Sequence, residues 1–221
     1  MTETAQTAVG HHGGAAAGRG VRLPRTARRA QLLAAAQDVF VTNGYHAAAM
    51  DEIAERAGVS KPVLYQHFPG KLELYMALLE SHVDELVGRV RHALESTTDN
   101  KQRVKATVGA FYDFVDNEGQ AFRMVFESDL RGEPAVAKAV ERATTDSVDA
   151  ITETITADTG LDEHRARLLA VGLVGLSQVT ARAWLADDRQ VPKEDAVSLI
   201  STLAWKGIGG GFPLQHPDAQ L

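Results

Sequence analysis

The chain has 221 residues, 44% of them hydrophobic, and it contains no cysteine. This length and composition predict one large or two small domains with a real core, and they exclude disulfides and thiolate metal sites. No apolar run approaches the roughly 20 residues that a membrane-spanning helix needs, and the N-terminus lacks the apolar segment of a signal peptide, so we expect a cytoplasmic protein with no membrane partner.

The net charge of −6 is unevenly distributed along the chain. Residues 1–75 hold 8 Lys and Arg against 6 Asp and Glu, whereas residues 76–221 hold 15 against 23. A basic N-terminal third attracts a polyanion such as DNA, and the acidic remainder repels it. The alternative is chance variation in a mixed surface.

Residues 1–24 are predicted to be a disordered N-terminal tail with a basic arm. The first 18 are mostly small or polar and cannot bury enough apolar surface to fold. Five arginines without an intervening acid follow, namely Arg19, Arg22, Arg25, Arg28 and Arg29. Several fall at or before the start of the first helix, where the helix dipole disfavours cations. DNA phosphates or a minor groove would compensate, and a solvated basic linker is the alternative.

Two helices are predicted before residue 58. Apolar residues at i, i+3 and i+4 predict the first over about 26–42, ended by Asn43-Gly44, and a short second helix over about 50–57. Ala48 and Ala49 leave the second helix without a side-chain cap, which costs about 1 kcal/mol.

A tight turn and a third short helix follow. Gly58 permits the left-handed conformation that ends a helix, the Ser60 hydroxyl is expected to cap the next one, and Pro62 fits its first turn. Leu64 and Phe68 are expected in the core, which leaves the other side chains pointing outward. A helix this short needs neighbours to hold it, and one that presents donors, acceptors and an aromatic ring is typical of DNA recognition by a helix-turn-helix unit.

From about Arg28 to Tyr75 the chain resembles the TetR family of bacterial transcriptional regulators. The matching segments are Leu33-Ala34-Ala35-Ala36, Phe40, Asn43-Gly44-Tyr45, Met50-Asp51-Glu52-Ile53-Ala54, Ala57-Gly58-Val59-Ser60, Leu64-Tyr65, His67-Phe68, Lys71 and Leu74-Tyr75. The resemblance implies an all-α fold of about nine helices. It places a three-helix DNA-binding domain at 25–75 and a larger helical ligand-binding and dimerisation domain at 76–210, followed by a tail at 211–221.

The resemblance also implies which residues contact DNA. These are the positions matching Lys61, Pro62, Val63, Tyr65, Gln66 and His67. Gln66 has the chemistry to pair with an adenine edge, and Val63 and the Pro62 ring can pack on a thymine methyl group. Tyr65 and His67 are expected to reach phosphate or sugar, although a buried ring is the alternative for Tyr65.

Three further cations complete the expected DNA surface. Lys71 stands at the start of the fourth helix, where a bound phosphate would offset its unfavourable interaction with the helix dipole. Arg25 and Arg28 of the basic arm are expected to contact the backbone of the duplex.

Helical spacing predicts a long fourth helix over about 71–95 that joins the two domains. Five more helices are predicted at about 101–117, 119–130, 134–158, 162–187 and 193–207. No strand is predicted, because apolar residues do not alternate.

Most aromatic rings of the second domain fall in the helices 101–117 and 119–130. An ordinary packed core and a pocket for a small apolar or aromatic effector both fit this pattern. The expected ligand-binding residues are Phe111, Tyr112, Phe122, Phe126, Gln178 and Arg182.

The segment 168–176 is apolar on every side, which predicts burial all round. Together with the last helix it is expected to form a four-helix bundle between two chains, and burial within one chain is the alternative. The expected dimer-interface residues are Leu169, Gly172, Leu173, Leu176, Val197, Ile200, Leu203 and Ala204.

Motifs for nucleotide binding or nucleophilic catalysis are missing from the sequence, so we expect neither an enzyme nor a cofactor or metal. With the resemblance, the sequence predicts a repressor that binds a pseudo-palindromic operator in double-stranded DNA as a homodimer. A small apolar or aromatic effector is expected to release it. The alternative is a DNA-binding protein whose C-terminal domain binds a protein partner, which a filled core would favour over a cavity.

Overall fold

The computed structural model describes residues 23–117, 130 and 132–211. These residues form eight helices and no strand, which confirms the all-α prediction. The helices are α1 (Arg25–Ala47), α2 (Met50–Arg56), α3 (Lys61–His67), α4 (Lys71–Glu95), α5 (Asn100–Asn117), α6 (Pro134–Thr159), α7 (Glu163–Ala186) and α8 (Lys193–Gly211). The helix predicted over 119–130 lies outside the described residues, apart from its last position.

The predicted end of the first helix is present as a break inside α1. Gly44 has φ 73° and ψ 164°, and three residues follow it before α1 ends. A positive φ of this size favours glycine, so Gly44 determines where α1 kinks.

The turn between α2 and α3 has the predicted left-handed glycine, Gly58, with φ 64°. The prediction that the Ser60 hydroxyl caps α3 is wrong, because Ser60 holds the N-cap position without a side-chain hydrogen bond to the helix. The backbone explains this. Pro62 has no N–H to offer, and the Val63 N–H donates to the Ser60 carbonyl at 3.0 Å instead of to the hydroxyl.

The first three helices and the start of α4 share one core. Leu32, Ile53, Leu64 and Leu74 have no exposed surface, and Phe68 is 2% exposed, which confirms Leu64 and Phe68 as core residues. Burial of this apolar face holds the short helix α3 in place, since seven residues do not form a stable helix alone.

An aromatic cluster joins α1 to α4. The ring centroids of Phe40 and Tyr75 lie 5.3 Å apart, and those of Tyr45 and Tyr75 lie 5.2 Å apart, both edge-on. Edge-on rings at such distances add attraction beyond the area that they bury. The first turns of α4 are therefore fixed to the first three helices.

Helix α4 extends from this cluster into the second domain. Its 25 residues correspond to about 37 Å at about 1.5 Å per residue. It packs against α5 and α6, while α6 also packs on α7, and α5 packs on α7 and α8. The predicted boundary between the first domain, 25–75, and the second, 76–210, stays a prediction, since α4 belongs to both domains.

A cluster of charged residues connects the end of α5 to the start of α8 and to the turn before it. Lys193, at the start of α8, donates to Asp113 at 2.9 Å and to Asp116 at 3.1 Å, and Arg189 donates to the same Asp116 at 3.0 Å. The Arg189 guanidinium also lies 5.5 Å from the Trp184 ring. These contacts hold Asp188 and Arg189 at positive φ in the turn between α7 and α8.

Helix α7 is not buried all round, which corrects the prediction for 168–176. Its exposed apolar side chains include Leu168 at 73%, Leu169 at 55% and Val179 at 66%. The alternative of burial within one chain is therefore wrong for this face. Helix α8 adds Leu199 and Trp205, each 47% exposed.

By length and composition alone, α7 is also apolar enough to cross a membrane. Its most apolar window has a mean hydropathy of 1.4, and 28% of that window is buried. The stretch without a charged residue, 168–181 between Arg167 and Arg182, is shorter than the roughly 20 residues that span a membrane, so the expectation from the sequence is not contradicted. The same composition suits a helix that packs on α5 and α6 with one face and on another chain with the opposite face.

Candidate nucleic-acid interface and effector cavity

Helix α3 presents a continuous outer surface. Lys61, Pro62 and Gln66 are exposed, and Tyr65 is 45% exposed. The alternative of a buried Tyr65 ring is therefore wrong. The outer surface carries a cation, an amide with donors and acceptors, and a phenol, which together suit contact with base edges and phosphates.

Two of the predicted DNA-contacting residues are only half-buried. Val63 and His67 lie at the edges of the α3 surface. The His67 ring is 6.4 Å from the Phe68 ring. They flank the outer surface, and their contacts with DNA stay a prediction.

Lys61 is paired in the absence of DNA. Its Nζ lies 2.5 Å from Asp51 Oδ2 of α2, with the two side chains 59% and 62% exposed. An exposed pair of this kind contributes about 0–1 kcal/mol, so a phosphate competes easily for the ammonium group.

The described part of the basic arm lies beside α3. Arg25 is exposed, whereas Arg28 is half-buried and donates to Gln31 Oε1 at 2.8 Å. Gln31 in turn donates to the Ala57 carbonyl at 2.8 Å, and the Arg29 guanidinium lies 4.5 Å from the Phe68 ring. The Arg28 and Arg29 guanidinium groups are thus held near α3, while Arg19 and Arg22 lie outside the described residues.

Lys71 has a role that the sequence did not predict. Its Nζ donates to the carbonyls of Tyr45, His46 and Ala48 at 2.8, 3.1 and 3.0 Å. It also lies 4.6 Å from the centre of the Tyr45 ring. An ammonium group has three donors, so the predicted phosphate contact, which stays a prediction, competes with all three bonds.

A cavity of about 530 Å³ lies in the second domain, among α4, α5, α6, α7 and α8. Its wall is mostly apolar, and it includes Val104, Ile151 and Leu173. Its size and apolar wall match those of pockets that bind small molecules. At one end Arg103 forms an ion pair with Asp158, and the Arg103 side chain is 17% exposed.

The four predicted ligand-binding residues that the structure describes are not among those that line this cavity. Phe111 and Tyr112 are buried in the packed core at 3% and 1% exposure. The Tyr112 ring lies 5.4 Å from the Trp184 ring. Burial raises the pKa of the Tyr112 hydroxyl, and a hydrogen bond with Thr180 partly opposes that rise. Both rings are thus packed in the core of this chain, and their contact with a ligand stays a prediction.

The other predicted ligand-binding residues divide into two pairs. Gln178 and Arg182 lie on α7, away from the cavity wall. Phe122 and Phe126 lie outside the described residues. Helical spacing alone does not tell which side of a helix faces a void, so ligand contact by these four residues stays a prediction.

Several predicted dimer-interface residues line the cavity instead. These are Leu169, Gly172, Leu173, Leu176 and Ala204. Because the exposed face of α7 is also one wall of the cavity, a chain that packs on that face would lie close to any bound ligand. Helical periodicity does not predict this overlap, because it does not show which residues border a void.

The cavity wall touches the far end of α4. Leu94, in its last turn, lines the cavity. The Arg103 Nε donates to the carbonyls of Leu94 and Thr97 at 3.0 and 2.7 Å. The same helix begins at Lys71, beside α1. One helix thus joins the cavity to the first three helices.

The fold and the surface of α3 define a helix-turn-helix protein with a separate helical domain. Residues 32–78 match the model for bacterial regulatory proteins of the tetR family, and residues 100–207 match the model for the tetracyclin repressor-like C-terminal domain. The chain is 56% identical over 190 residues to the HTH-type transcriptional activator FasR of Mycolicibacterium smegmatis, covering 86% of this chain and 87% of that protein. The chain belongs to the TetR family of bacterial transcriptional regulators.

Solved structures show the same fold. A TetR-like transcriptional regulator from Rhodococcus sp. RHA1 is similar with a TM-score of 0.67 and 26% identity, covering 86% of this chain and 100% of that one. The regulator FadR from Bacillus subtilis, solved in complex with stearoyl-CoA, is similar with a TM-score of 0.64 and 19% identity, covering 81% of this chain and 98% of that one.

Proposed function

We propose that this transcriptional regulator reads a pseudo-palindromic operator through α3, as a homodimer, and that an apolar ligand in the cavity of the second domain changes its affinity for DNA. The single observation that supports operator reading is the outer surface of α3. A seven-residue helix is held by buried Leu64 and Phe68 and presents Lys61, Tyr65 and Gln66 to solvent. We place this activity in the cytoplasm and assign the chain no enzymatic role.

The proposed dimer rests on the uncovered apolar face of α7 and α8. Leu168 and Val179 lie eleven positions apart and so on one side of the helix, and they are 73% and 66% exposed. Gly172 and Gly175, between them, have nothing within 4 Å of the position of an added Cβ. This arrangement permits close approach of a second helix, and two such faces related by a two-fold axis would cover each other.

The test of the dimer is Val179→Asp, measured by sedimentation equilibrium. Val179 is exposed and does not line the cavity, so the variant is expected to fold as a monomer with unchanged helix content. The matched control is Leu23→Asp, which changes an exposed apolar residue, 41% accessible, next to α1. A Val179→Asp protein that stays dimeric would overturn the proposed interface.

A small-molecule effector is favoured over a protein partner because an apolar cavity of about 530 Å³ lies among the described helices of the second domain. A ligand changes the affinity for DNA only if it binds two conformations unequally. The contact of the cavity with Leu94 and Arg103 offers such a difference, since a shift of α4 there would move the first three helices, which are fixed to its first turns, relative to the second domain. The long-chain acyl thioester named for the FadR structure is a suitable first probe for a cavity with this wall.

The direction of regulation is proposed from the relative with 56% identity, which is named a transcriptional activator. We favour activation over the repression that the sequence predicted. A reporter gene behind the operator, compared in cells with and without the protein, gives the sign. Higher expression without the protein would establish repression.

The effector proposal is tested by fluorescence anisotropy with operator DNA selected from random sequence. Stearoyl-CoA is expected to change the dissociation constant for operator DNA by about 5- to 150-fold, the usual range of allosteric coupling. An unchanged constant at saturating stearoyl-CoA would reject this ligand as an effector.

A further inference from the structure

A single amide side chain, that of Gln31 in α1, connects the basic arm to the turn before α3. Its Nε2 donates to the Ala57 carbonyl at 2.8 Å, and its Oε1 accepts from Arg28 Nη1 at 2.8 Å. Ala57 is the C-cap of α2 and lies 26 residues after Gln31 in the chain. Gln31 and Arg28 are both half-buried. The amide therefore uses its donor end and its acceptor end to set where the Arg28 guanidinium lies relative to α3.

The bond to Gln31 occupies only one of the N–H groups of Arg28. A guanidinium presents five such donors in a planar fork, and the other four have no acceptor among the residues that the structure describes. The edge formed by Nε and Nη2 is thus available for two parallel hydrogen bonds to a phosphate. The guanidinium of Arg29, the next residue, lies 4.5 Å from the ring of Phe68, the C-cap of α3. The start of α1 thus holds one guanidinium near each end of α3.

An arginine that is held in place before DNA arrives binds a phosphate more strongly than a free one. A free side chain loses conformational entropy when the contact forms, and an anchored side chain has lost part of it already. Arg25 shows the contrast within the basic arm, because it is exposed and has no such anchor among the described residues. The contact of Arg28 with the duplex therefore depends on Gln31.

We propose that Gln31 is a positioning residue for DNA binding, which holds Arg28 in place for a backbone phosphate beside α3 and does not itself contact DNA. This role rests on the proposed function in one respect, the binding of duplex DNA at the surface of α3. A phosphate contact fixes the position of a protein on the duplex and carries no sequence information. The contribution of Gln31 is therefore the same on operator and on random DNA, unlike that of Gln66, which is assigned to a base.

A double-mutant cycle tests whether Gln31 acts through Arg28. Fluorescence anisotropy of the full-length protein with a random-sequence duplex, at several salt concentrations, gives the affinity and its salt dependence. Arg28→Met is expected to weaken binding about tenfold and to lower the slope of log K against log salt by about 1. Gln31→Met is expected to weaken binding about fivefold and to lower the slope as well, because a displaced guanidinium no longer replaces a counterion at this phosphate. In the Arg28→Met background, Gln31→Met is expected to change neither quantity.

The matched control is Gln37→Met. Gln37 is another half-buried glutamine of α1, six positions further along the helix, and it makes no hydrogen bond with the described residues. This variant is expected to bind DNA as the wild type does. Thermal unfolding checks that the proteins fold, and Gln31→Met is expected to lower the melting temperature by less than about 5 °C. Gln31→Ala, which removes the same two hydrogen bonds, takes its place in the cycle if the methionine variant unfolds.

The outcomes separate this role from the proposed function. If Gln31→Met weakens DNA binding as much in the Arg28→Met background as in the wild type, Gln31 has a structural role only and the proposed positioning is overturned. An unchanged affinity and slope in the single variant would overturn it as well, and in both cases DNA binding by α3 stands. If the wild-type protein binds no duplex DNA, the positioning role and the proposed function fall together.

Discussion

Two roles are assigned to Lys71: it holds the end of α1 against the start of α4, and it is predicted to contact a DNA phosphate. Replacing Lys71 with methionine tests which role is larger. Methionine keeps most of the unbranched side chain and removes the charge. The change deletes three hydrogen bonds from an ammonium group to the carbonyls of Tyr45, His46 and Ala48, at 2.8 to 3.1 Å. These carbonyls lie at the end of α1, so the variant loosens the junction between α1 and α4.

The expected cost can be bounded from the contacts. One hydrogen bond to a charged group contributes about 1.5–3 kcal/mol, and three from the same half-buried group do not add. The approach of 4.6 Å to the Tyr45 ring is worth about 0.5–1 kcal/mol at a partly exposed site. Against this, a cation at the start of α4 interacts unfavourably with that helix dipole. We expect Lys71→Met to lower the free energy of unfolding by about 2–3 kcal/mol.

Urea denaturation followed by circular dichroism measures this cost. Lys61→Met is the matched control, because Lys61 is 59% exposed and pairs only with exposed Asp51. Its cost is expected to be about 0–1 kcal/mol. If Lys71→Met unfolds within about 0.5 kcal/mol of the wild type, and the slope of log K against log salt for DNA binding falls by about 1, then Lys71 is a phosphate contact and the structural role is refuted.

Three further changes test other parts of the structure. Gln66→Ala is expected to weaken operator binding by about 1–3 kcal/mol at one base pair and to leave random DNA unaffected; anisotropy showing equal loss on both DNAs would remove its assigned role. Leu64→Ala, at a site with no exposed surface, is expected to cost about 2–5 kcal/mol in urea and to abolish DNA binding without changing the oligomeric state. Burial acts to raise the pKa of Asp116, but hydrogen bonds from Lys193 and Arg189 outweigh it, and the folded-state pKa lies below the ordinary 3.8. Asp116 therefore stabilises the fold above about pH 4, and this contribution is lost as the pH falls through the lowered pKa. Asp116→Asn is expected to lower the free energy of unfolding by about 1 kcal/mol at pH 7 and by less below pH 4. A difference in unfolding free energy that does not change with pH would contradict this linkage.

The helix-turn-helix unit could be predicted from the sequence because its signals are local. Gly58 marks the turn, and Leu64 and Phe68 repeat at helical spacing on the buried side. The role of Lys71 could not be predicted, because its carbonyl partners lie 23 to 26 residues earlier in the chain. Only the kink at Gly44 brings them to the start of α4.

The second domain was less predictable. Phe111 and Val104 share one helix and lie seven positions apart, yet the ring packs in the core while Val104 lines the cavity. Periodicity identifies the apolar side of a helix but not whether a neighbour fills the space opposite it. Exposure of the apolar face of α7 likewise depends on how α5 and α6 pack, and the composition of α7 does not contain that information.

Sequence selection from random duplex DNA tests most directly whether α3 reads an operator. The wild-type protein is expected to enrich a pseudo-palindrome whose half-sites lie about 10–10.5 base pairs apart, or a multiple of that, which corresponds to about 34–36 Å between two recognition helices. Gln66→Ala is expected to enrich the same spacing with a relaxed preference at one position in each half-site. Enrichment of no sequence, or of one that Gln66→Ala and Tyr65→Ala select just as strongly, would contradict the assignment of α3 as the reading helix.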